Sequence, residues 1–171
     1  MSKRISNRKG MVWTTDFLIG LMLFLVMILI AVKILLGMNT SQAGVSVYRD
    51  AVYVSDNLLS EGYPFNWTNQ TVIMPGIAGN NRINTTKLSN FTDIDYYRVK
   101  ELLHVSSDFI FFIRNSTDII NTSRCIYGYN LTTDENCTPR LDTITYDNLV
   151  RMDRIVLYQS KVVTLTVYAW V

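Results

Sequence analysis

A long apolar segment near the N-terminus constrains this chain more than any other feature of its sequence. It runs from Phe17 to Met38, and Lys33 is its only charged residue. At about 1.5 Å per helical residue it spans roughly 33 Å, which matches the roughly 30 Å hydrocarbon core of a bilayer. The sequence therefore predicts one membrane-spanning helix, with Lys33 near enough to its end for the ammonium group to reach the headgroups.

The charges around this segment predict its orientation. The basic residues that precede it are Lys3, Arg4, Arg8 and Lys9. Because cytoplasmic flanks of membrane helices are enriched in Lys and Arg, we expect residues 1–16 in the cytoplasm and residues 39–171 outside the cell membrane. The net charge of +2 comes from this N-terminal flank. Residues 39–171 have a small acidic excess, so nucleic acid is not expected as a partner.

An ordinary secretory signal does not fit this N-terminus. Its apolar core is expected to span about 7 to 15 residues and to end in a small-residue cleavage site. The segment here is longer, and Lys33 to Met38 offers no such site. A plain signal anchor is the alternative. However, Arg8-Lys9-Gly10-Met11, placed before the apolar segment, resembles the class III signal peptide of archaeal type IV pilins and archaellins.

The resemblance implies that a prepilin peptidase-like protease processes the chain at Lys9, Gly10 and Met11. Cleavage after Gly10 would leave Met11 as the first mature residue. Asp16 would then be the sixth, a charge at the helix start that serves assembly. Bacterial type IV pilins carry Glu at the fifth mature position, where this chain has Thr15, so the archaeal pattern fits better. The alternative role of Thr14, Thr15 and Asp16 is to cap a helix N-terminus.

Acceptor triplets for N-glycosylation, Asn-x-Ser/Thr, are frequent after the apolar segment. They are headed by Asn39, Asn66, Asn69, Asn84, Asn90, Asn115, Asn121, Asn130 and Asn136. All lie on the expected outer side, and composition alone would give far fewer. The alternative is that these residues serve as turn formers in loops. The sequence predicts a glycoprotein, with Asn136 the least favoured acceptor because its neighbour is Cys137.

The two cysteines predict a disulfide. Cys125 and Cys137 flank a polar, turn-rich segment. In an oxidising exterior the pair is expected to close a surface loop. A zinc site is not expected, since zinc would need two further ligands and the chain has one histidine, His104, far away in sequence.

No sequence feature indicates catalysis. Nucleophile elbows, phosphate-binding loops and paired metal-binding histidines do not occur. His104 ends a predicted helix, Thr92–His104, where a basic side chain stabilises the negative helix terminus. Asp93 and Asp95 stand two apart on that helix and would face different directions. We predict a protein that is not an enzyme and that needs no cofactor or metal.

Beyond the membrane segment, apolar residues recur at helical spacing from Ser41 to Ser60, so the helix is predicted to continue outside as an amphipathic helix. Its expected apolar face comprises Val45, Tyr48, Ala51, Val52, Ser55, Leu58 and Leu59. Gly37 and Gly44 predict a kink or short break at the join. Gly62-Tyr63-Pro64 predicts the end of the helix.

The rest of the chain predicts a small sheet and one helix. The expected elements are a polar loop over Phe65–Asn90 with a short strand at Thr71–Met74, the helix Thr92–His104, a buried strand Asp108–Ile113, and a hairpin of Leu149–Tyr158 and Lys161–Val171. Gln159-Ser160 would form the hairpin turn. In the last strand Val163 to Ala169 alternates apolar with polar residues, so one face suits a core laid on the helix.

These elements predict an α+β fold, with a long N-terminal transmembrane and amphipathic helix packed on a small antiparallel sheet in a single-pass membrane protein. The layout resembles that of type IV pilins. The expected domains are residues 1–10 as a basic cytoplasmic leader, 11–38 as the transmembrane helix segment, 39–60 as an extracytoplasmic amphipathic helix and 61–171 as an extracytoplasmic α+β head domain.

The resemblance implies a structural subunit, a minor pilin or pseudopilin, of a cell-surface filament or secretion-like assembly, with adhesion as an added role. Its partners would be membrane lipid, the processing protease and other pilin-like subunits. The alternative is a membrane-anchored ectodomain that binds a ligand or partner without forming filaments. The aromatics that would form its binding surface are Tyr63, Phe65, Trp67, Tyr127 and Tyr129.

Overall fold

The computed structural model describes the backbone of residues 8–122, 124–133 and 137–171, and the side chains of those ranges except 8–13 and 36–43. The elements are α1 (Arg8–Leu58), β1 (Ala78–Gly79), β2 (Arg82–Ile83), α2 (Thr85–Thr92), α3 (Tyr96–Leu103), β3 (Asp108–Arg114), β4 (Tyr127–Gly128), a 3-10 helix (Leu141–Thr143), β5 (Leu149–Tyr158) and β6 (Lys161–Trp170). The fold is α+β, in two compact units, Met1–Gln42 and Ala43–Val171.

The first unit contains the apolar part of α1. Every side chain from Thr14 to Leu35 is exposed. Leu and Ile are the commonest residues of this stretch, and Leu has high helix propensity. The break expected at Gly37 and Gly44 is not formed, because α1 is helical through both positions. A single helical glycine costs only about 1 kcal/mol, which good helix formers on either side offset.

In the second unit, residues 43–58 of α1 pack on the sheet through one stripe. The buried apolar residues of this stripe are Val47, Ala51, Val54 and Leu58. Their spacing of three and four residues places them on one helix face. The predicted face was wrong at two positions, since Val45 is 64% and Tyr48 is 55% exposed. The observed stripe also buries Ser55, as predicted, and the polar residues Asp50 and Asn57, which apolar periodicity does not indicate.

Six strands form one sheet in the order β1-β2-β5-β6-β3-β4. The predicted hairpin is confirmed, and Gln159 and Ser160 both have positive φ, 48° and 65°, as a turn matched to the strand twist requires. The sheet is mixed and not wholly antiparallel as predicted, because Arg82 of β2 pairs with Leu157 of β5 in parallel. The chain that follows α1 forms this edge. Its pairing with β5 joins residues distant in sequence, so no local sequence signal predicts it.

The core lies between α1 and the face of the sheet formed by alternate strand residues. On β6, Val163, Leu165, Val167 and Ala169 are all buried on this face, as their alternation predicted. On β3, both faces are buried: Phe109 and Phe111 belong to the main core, whereas Ile110 joins Leu131 and Trp170 in a second cluster on the opposite face. A strand that is buried on both faces needs consecutive apolar residues, which explains the apolar run in the sequence of β3.

The region between α1 and β3 contains more helix than expected. The Asn84 side chain caps α2 by accepting hydrogen bonds from the backbone of Thr86 (2.9 Å) and Lys87 (3.2 Å). The predicted loop therefore ends in a helix, Thr85–Thr92. The cap signal lies in the sequence, but Asn84 was assigned to a glycosylation triplet and not to a helix start.

The predicted helix Thr92–His104 begins later, as α3 at Tyr96, because Asp95 caps it by accepting bonds from the backbone of Tyr97 and Arg98. The strand expected at Thr71–Met74 is not formed. Only Met74 makes a bridge there, to Tyr63.

A buried carboxylate joins α1 to the loop that precedes β3. Asp50 is 7% exposed. Its Oδ2 atom accepts hydrogen bonds from the backbone N–H groups of Ser106 (3.2 Å) and Ser107 (3.0 Å), and from their hydroxyls at 3.2 and 2.8 Å. An ionised carboxylate at this depth needs such donors, because burial without them costs several kcal/mol.

We expect Asp50→Ala to destabilise the second unit by about 2–4 kcal/mol, because it leaves the buried donors of Ser107 and the partly buried donors of Ser106 without an acceptor. Asp56→Ala, which removes an exposed ion pair with Arg154, is the matched control and should cost at most about 1 kcal/mol. Denaturant unfolding of the full chain in detergent, followed by near-UV circular dichroism, measures both. Equal stability of the two variants would contradict the anchoring role of Asp50.

Candidate functional site

The apolar part of α1 is the first candidate for a functional surface. Thr14–Leu35 is long and apolar enough to cross a membrane, and no part of it is covered by the described chain. Such a helix suits a membrane anchor or a signal sequence. Asp16 and Lys33, near its two ends, are its charged residues, and both side chains are exposed.

The predicted processing site lies just before this surface. The backbone at Lys9, Gly10 and Met11 is helical as part of α1, while their side chains lie outside the described residues. Cleavage after Gly10 therefore stays a prediction.

The predicted disulfide is confirmed. Cys125 and Cys137 are bonded, with their Cα atoms 5.0 Å apart. The loop they close is more than a surface loop, because it contains β4, which pairs with β3 through Gly128 opposite Ile110 and Tyr127 opposite Phe111. Gly128 has φ of +103°, and a Cβ there would collide with the Phe109 carbonyl oxygen. The disulfide thus closes a loop that contains β4, the strand at one edge of the sheet.

An open cleft of about 1060 Å³ lies between this loop and the connection from α2 to α3. We call it the tyrosine cleft. The lining residues that matter for its chemistry are Asp93, Tyr96, Tyr97, Arg124, Tyr129 and Asn130. The cleft combines aromatic rings with both charges and amides, as ligand sites commonly do.

Tyr96 is the fixed centre of the cleft. Its hydroxyl donates to Asp108 Oδ1 (2.7 Å) and accepts from the backbone N–H of Phe109 (3.2 Å). Burial, together with the hydrogen bond to Asp108, raises the pKa of Tyr96 above its ordinary value, so the hydroxyl stays a donor at neutral pH. The ring packs edge-on against Tyr129, with centroids 5.7 Å apart, and Tyr129 packs in the same way against Trp170.

The exposed side chains of the tyrosine cleft include one aromatic ring and both signs of charge. Tyr97 is 71% exposed, although its ring contacts Tyr96 at a centroid distance of 5.6 Å. Asp93, in the α2–α3 connection, and Arg124, just before Cys125, are exposed and line the cleft. Neither makes a side-chain hydrogen bond or ion pair within the described part of the chain. Their charges are therefore available to a ligand.

The aromatic surface expected from the sequence is only partly formed. Trp67 is 2% and Tyr127 is 4% exposed. Trp67 Nε1 donates to the carbonyl of Gly76 (3.0 Å), and Tyr127 stacks on Phe111 with centroids 5.0 Å apart. Both belong to the core, since large rings stabilise more when they are buried. Tyr63 and Phe65 are exposed as predicted, while Tyr129 is half-buried in the tyrosine cleft.

The asparagines of the acceptor triplets fall into different settings. The exposed ones are Asn66, Asn84, Asn115, Asn121 and Asn130, and the half-buried ones are Asn69 and Asn90. Asn39 and Asn136 lie outside the described side chains. Asn90 donates its amide to the carbonyl of Trp67 (3.3 Å). Asn121 and Asn130 line the tyrosine cleft, so two predicted glycan positions meet at one site; glycosylation itself stays a prediction.

His104 lies where the sequence placed it, at the C-terminal cap of α3, in the left-handed conformation with φ of 51°. Its backbone N–H donates hydrogen bonds to the carbonyls of Glu101 and Lys100. Within the described residues, no group of three or more His, Cys, Asp or Glu side chains is arranged to hold a metal ion.

Comparisons of the chain with protein-family models, curated proteins and solved structures found no match. The function of the chain is therefore inferred from its residues and their geometry.

We expect replacement of both cysteines, Cys125→Ser with Cys137→Ser, to destabilise the second unit by about 3 kcal/mol, the chain-entropy value for a loop of this length. Because β4 belongs to the loop, protection of the Ile110 and Phe111 amides against hydrogen exchange should also fall. Peptide mapping without reductant should recover the two cysteines linked in the native chain. Free thiols in fresh material would contradict the bond.

Proposed function

We propose that this protein is a structural subunit, a minor pilin or pseudopilin, of a cell-surface type IV pilus-like filament or secretion-like assembly. The observation that carries the proposal is the uncovered apolar helix Thr14–Leu35, preceded directly by Arg8-Lys9-Gly10-Met11. An apolar surface of this length is unstable in water and requires another apolar environment. A filament subunit would have two such environments: lipid before assembly, and the helices of neighbouring subunits in the filament.

The expected orientation of the chain across the membrane supports the same proposal. The basic N-terminal flank favours a cytoplasmic N-terminus, and the Cys125–Cys137 bond favours an oxidising exterior for the second unit. The acceptor triplets also lie on that side. The protein would therefore reside in the cell membrane with residues 39–171 outside, before its incorporation into a surface filament.

Asp16 is the residue on which assembly would depend most. At the membrane boundary of a monomer its carboxylate is hydrated. In a bundle of apolar helices it would lose this water, and an unpaired buried charge is costly. The new amino group of Met11 on a neighbouring subunit, released by cleavage after Gly10, is a suitable partner for the carboxylate.

A second candidate function is a membrane-anchored ectodomain that binds a ligand and never enters a filament. The tyrosine cleft favours it, because the exposed ring of Tyr97 and the unengaged charges of Asp93 and Arg124 suit a ligand. Both functions use the same anchor. They differ in whether the apolar helix needs a specific surface or only hydrophobicity, since lipid tails pack equally well against different apolar side chains.

Processing gives the first test. We expect the chain isolated from native membranes to begin at Met11, and Gly10→Val to block cleavage while leaving membrane insertion intact. Intact-mass measurement and N-terminal sequencing of the extracted protein report both. Native protein that retains Met1 to Gly10, or that is cleaved after Gly37, would count against the filament subunit and favour the anchored ectodomain.

Assembly gives the second test. We expect Asp16→Ala to reduce incorporation into high-molecular-weight surface assemblies at least about tenfold, the effect of losing roughly 1.4 kcal/mol per contact, without changing insertion. Asp16→Glu, which keeps the carboxylate, is the matched control and should retain most assembly. Sheared surface fractions separated by ultracentrifugation and probed for the protein measure the effect. Equal assembly by wild type and Asp16→Ala would show that the helix is only an anchor.

A further inference from the structure

We propose that the tyrosine cleft is a saccharide-binding site. It lies wholly in the second unit and is lined by described residues of the α2–α3 connection, the start of α3, the chain just before Cys125 and the disulfide loop. This inference does not rest on the filament proposal, because a filament subunit and an anchored ectodomain would present the cleft equally.

The aromatic rings supply the first part of the argument. A sugar ring has an apolar face of C–H groups, which packs against the face of a tyrosine, while its hydroxyls need donors and acceptors around that face. Tyr97 offers such a ring at 71% exposure, the highest among the described tyrosines. Tyr96 holds it at a centroid distance of 5.6 Å and is itself fixed by Asp108 and Phe109. The stacking surface is therefore largely preorganised.

The polar groups supply the second part. Asp93 of the lining is an acceptor for sugar hydroxyls, and Arg124 is a planar donor. Asn121 and Asn130 add amide donors and acceptors, and both side chains are exposed. None of these four side chains is engaged in a hydrogen bond or ion pair within the described chain. Carboxylate, guanidinium and amide groups around an aromatic face match a ligand that is rich in hydroxyls.

A peptide is a poorer occupant of the same cleft. Peptides that add to a sheet need an edge strand with a run of free backbone groups. The edge strand at the cleft, β4, has two residues, Tyr127 and Gly128, and Gly128 departs from strand geometry at φ of +103°. The edge is too short to align an extended chain.

The saccharide can come from two sources. It can belong to another molecule, or it can be a glycan attached to this chain at Asn121 or Asn130, since both line the cleft. The chemistry of recognition is the same for both sources, and an experiment can separate them.

The test uses the full chain, made without glycosylation and inserted in nanodiscs. The probes are free oligosaccharides of hexoses, N-acetylhexosamines and hexuronic acids, at concentrations up to the millimolar range, with binding detected by saturation-transfer NMR. We expect at least one class to bind, and Tyr97→Ala to weaken its binding about tenfold or more. Tyr48→Ala, a change of an exposed tyrosine on α1 outside the cleft, should leave binding unchanged. Near-UV circular dichroism checks that both variants fold.

No binding by any probe would overturn the proposal, as would binding that survives both Tyr97→Ala and Arg124→Ala. Binding of a mixed tripeptide library in place of the sugars would also overturn it. The glycosylated protein from native cells then separates the sources. If it binds free sugar only after Asn121→Gln and Asn130→Gln, the cleft holds the chain's own glycan. If it binds without these changes, the cleft takes a foreign saccharide.

Discussion

The contact between Asp50 and the two serines before β3 is the constraint on which the second unit depends. A helix that packs through Val47, Ala51, Val54 and Leu58 can slide or rotate with little loss of apolar contact, because dispersion and hydrophobic forces have no strong direction. Hydrogen bonds to one carboxylate oxygen do have a direction. They fix the position of residues 43–58 of α1 against the start of β3, and the register of the core follows from that point.

A second layer builds outward from β3. Because this strand is buried on both faces, the side opposite α1 also needs a cover, and the chain between β4 and β5 provides it. Leu131, Leu141 and Ile144 contribute to the cluster around Ile110 and Trp170. Cys137, one end of the disulfide, also belongs to this stretch of chain. The tyrosine cleft forms where the cover meets the α2–α3 connection, so the same loop that completes the core also forms a wall of the candidate site.

The sequence predicted those elements whose signals are local. The β5–β6 hairpin was located by alternation and by its turn, β3 by its apolar run, the disulfide by cysteine number, and the apolar helix by its length. Predictions from the sequence were wrong where contacts between residues distant in sequence determine the structure. Burial of Trp67 depends on a bond to Gly76 and on contacts that no window of neighbouring residues reveals. The parallel pairing of Arg82 with Leu157 and the burial of Asp50 and Asn57 in the α1 stripe were missed for the same reason.

The candidate sites also differ in whether a local sequence signal or long-range packing identifies them. Cleavage after Gly10 and the role of Asp16 are inferred from a sequence motif. The tyrosine cleft, in contrast, exists only in the folded chain. Asp93 and Arg124 are distant in sequence, and only the fold brings them into the lining of one cleft. The adjacent pair Tyr96-Tyr97 is visible in the sequence, but the sequence does not show that Tyr96 is half-buried while Tyr97 is exposed.

The edges of the sheet limit how copies of this protein could associate. The order of the sheet ends in β1 and β4, which have two residues each. β5 pairs with β2 only at Leu157, opposite Arg82. Within the described residues, the outer side of residues 149–156 of β5 is therefore the longest strand edge without a paired strand, and such an edge can serve as a template for pairing with another sheet. Charged side chains on an edge oppose this pairing, and β5 exposes Arg151 and Asp153 there. Copies concentrated side by side on a cell surface would be kept from merging at this edge by these charges.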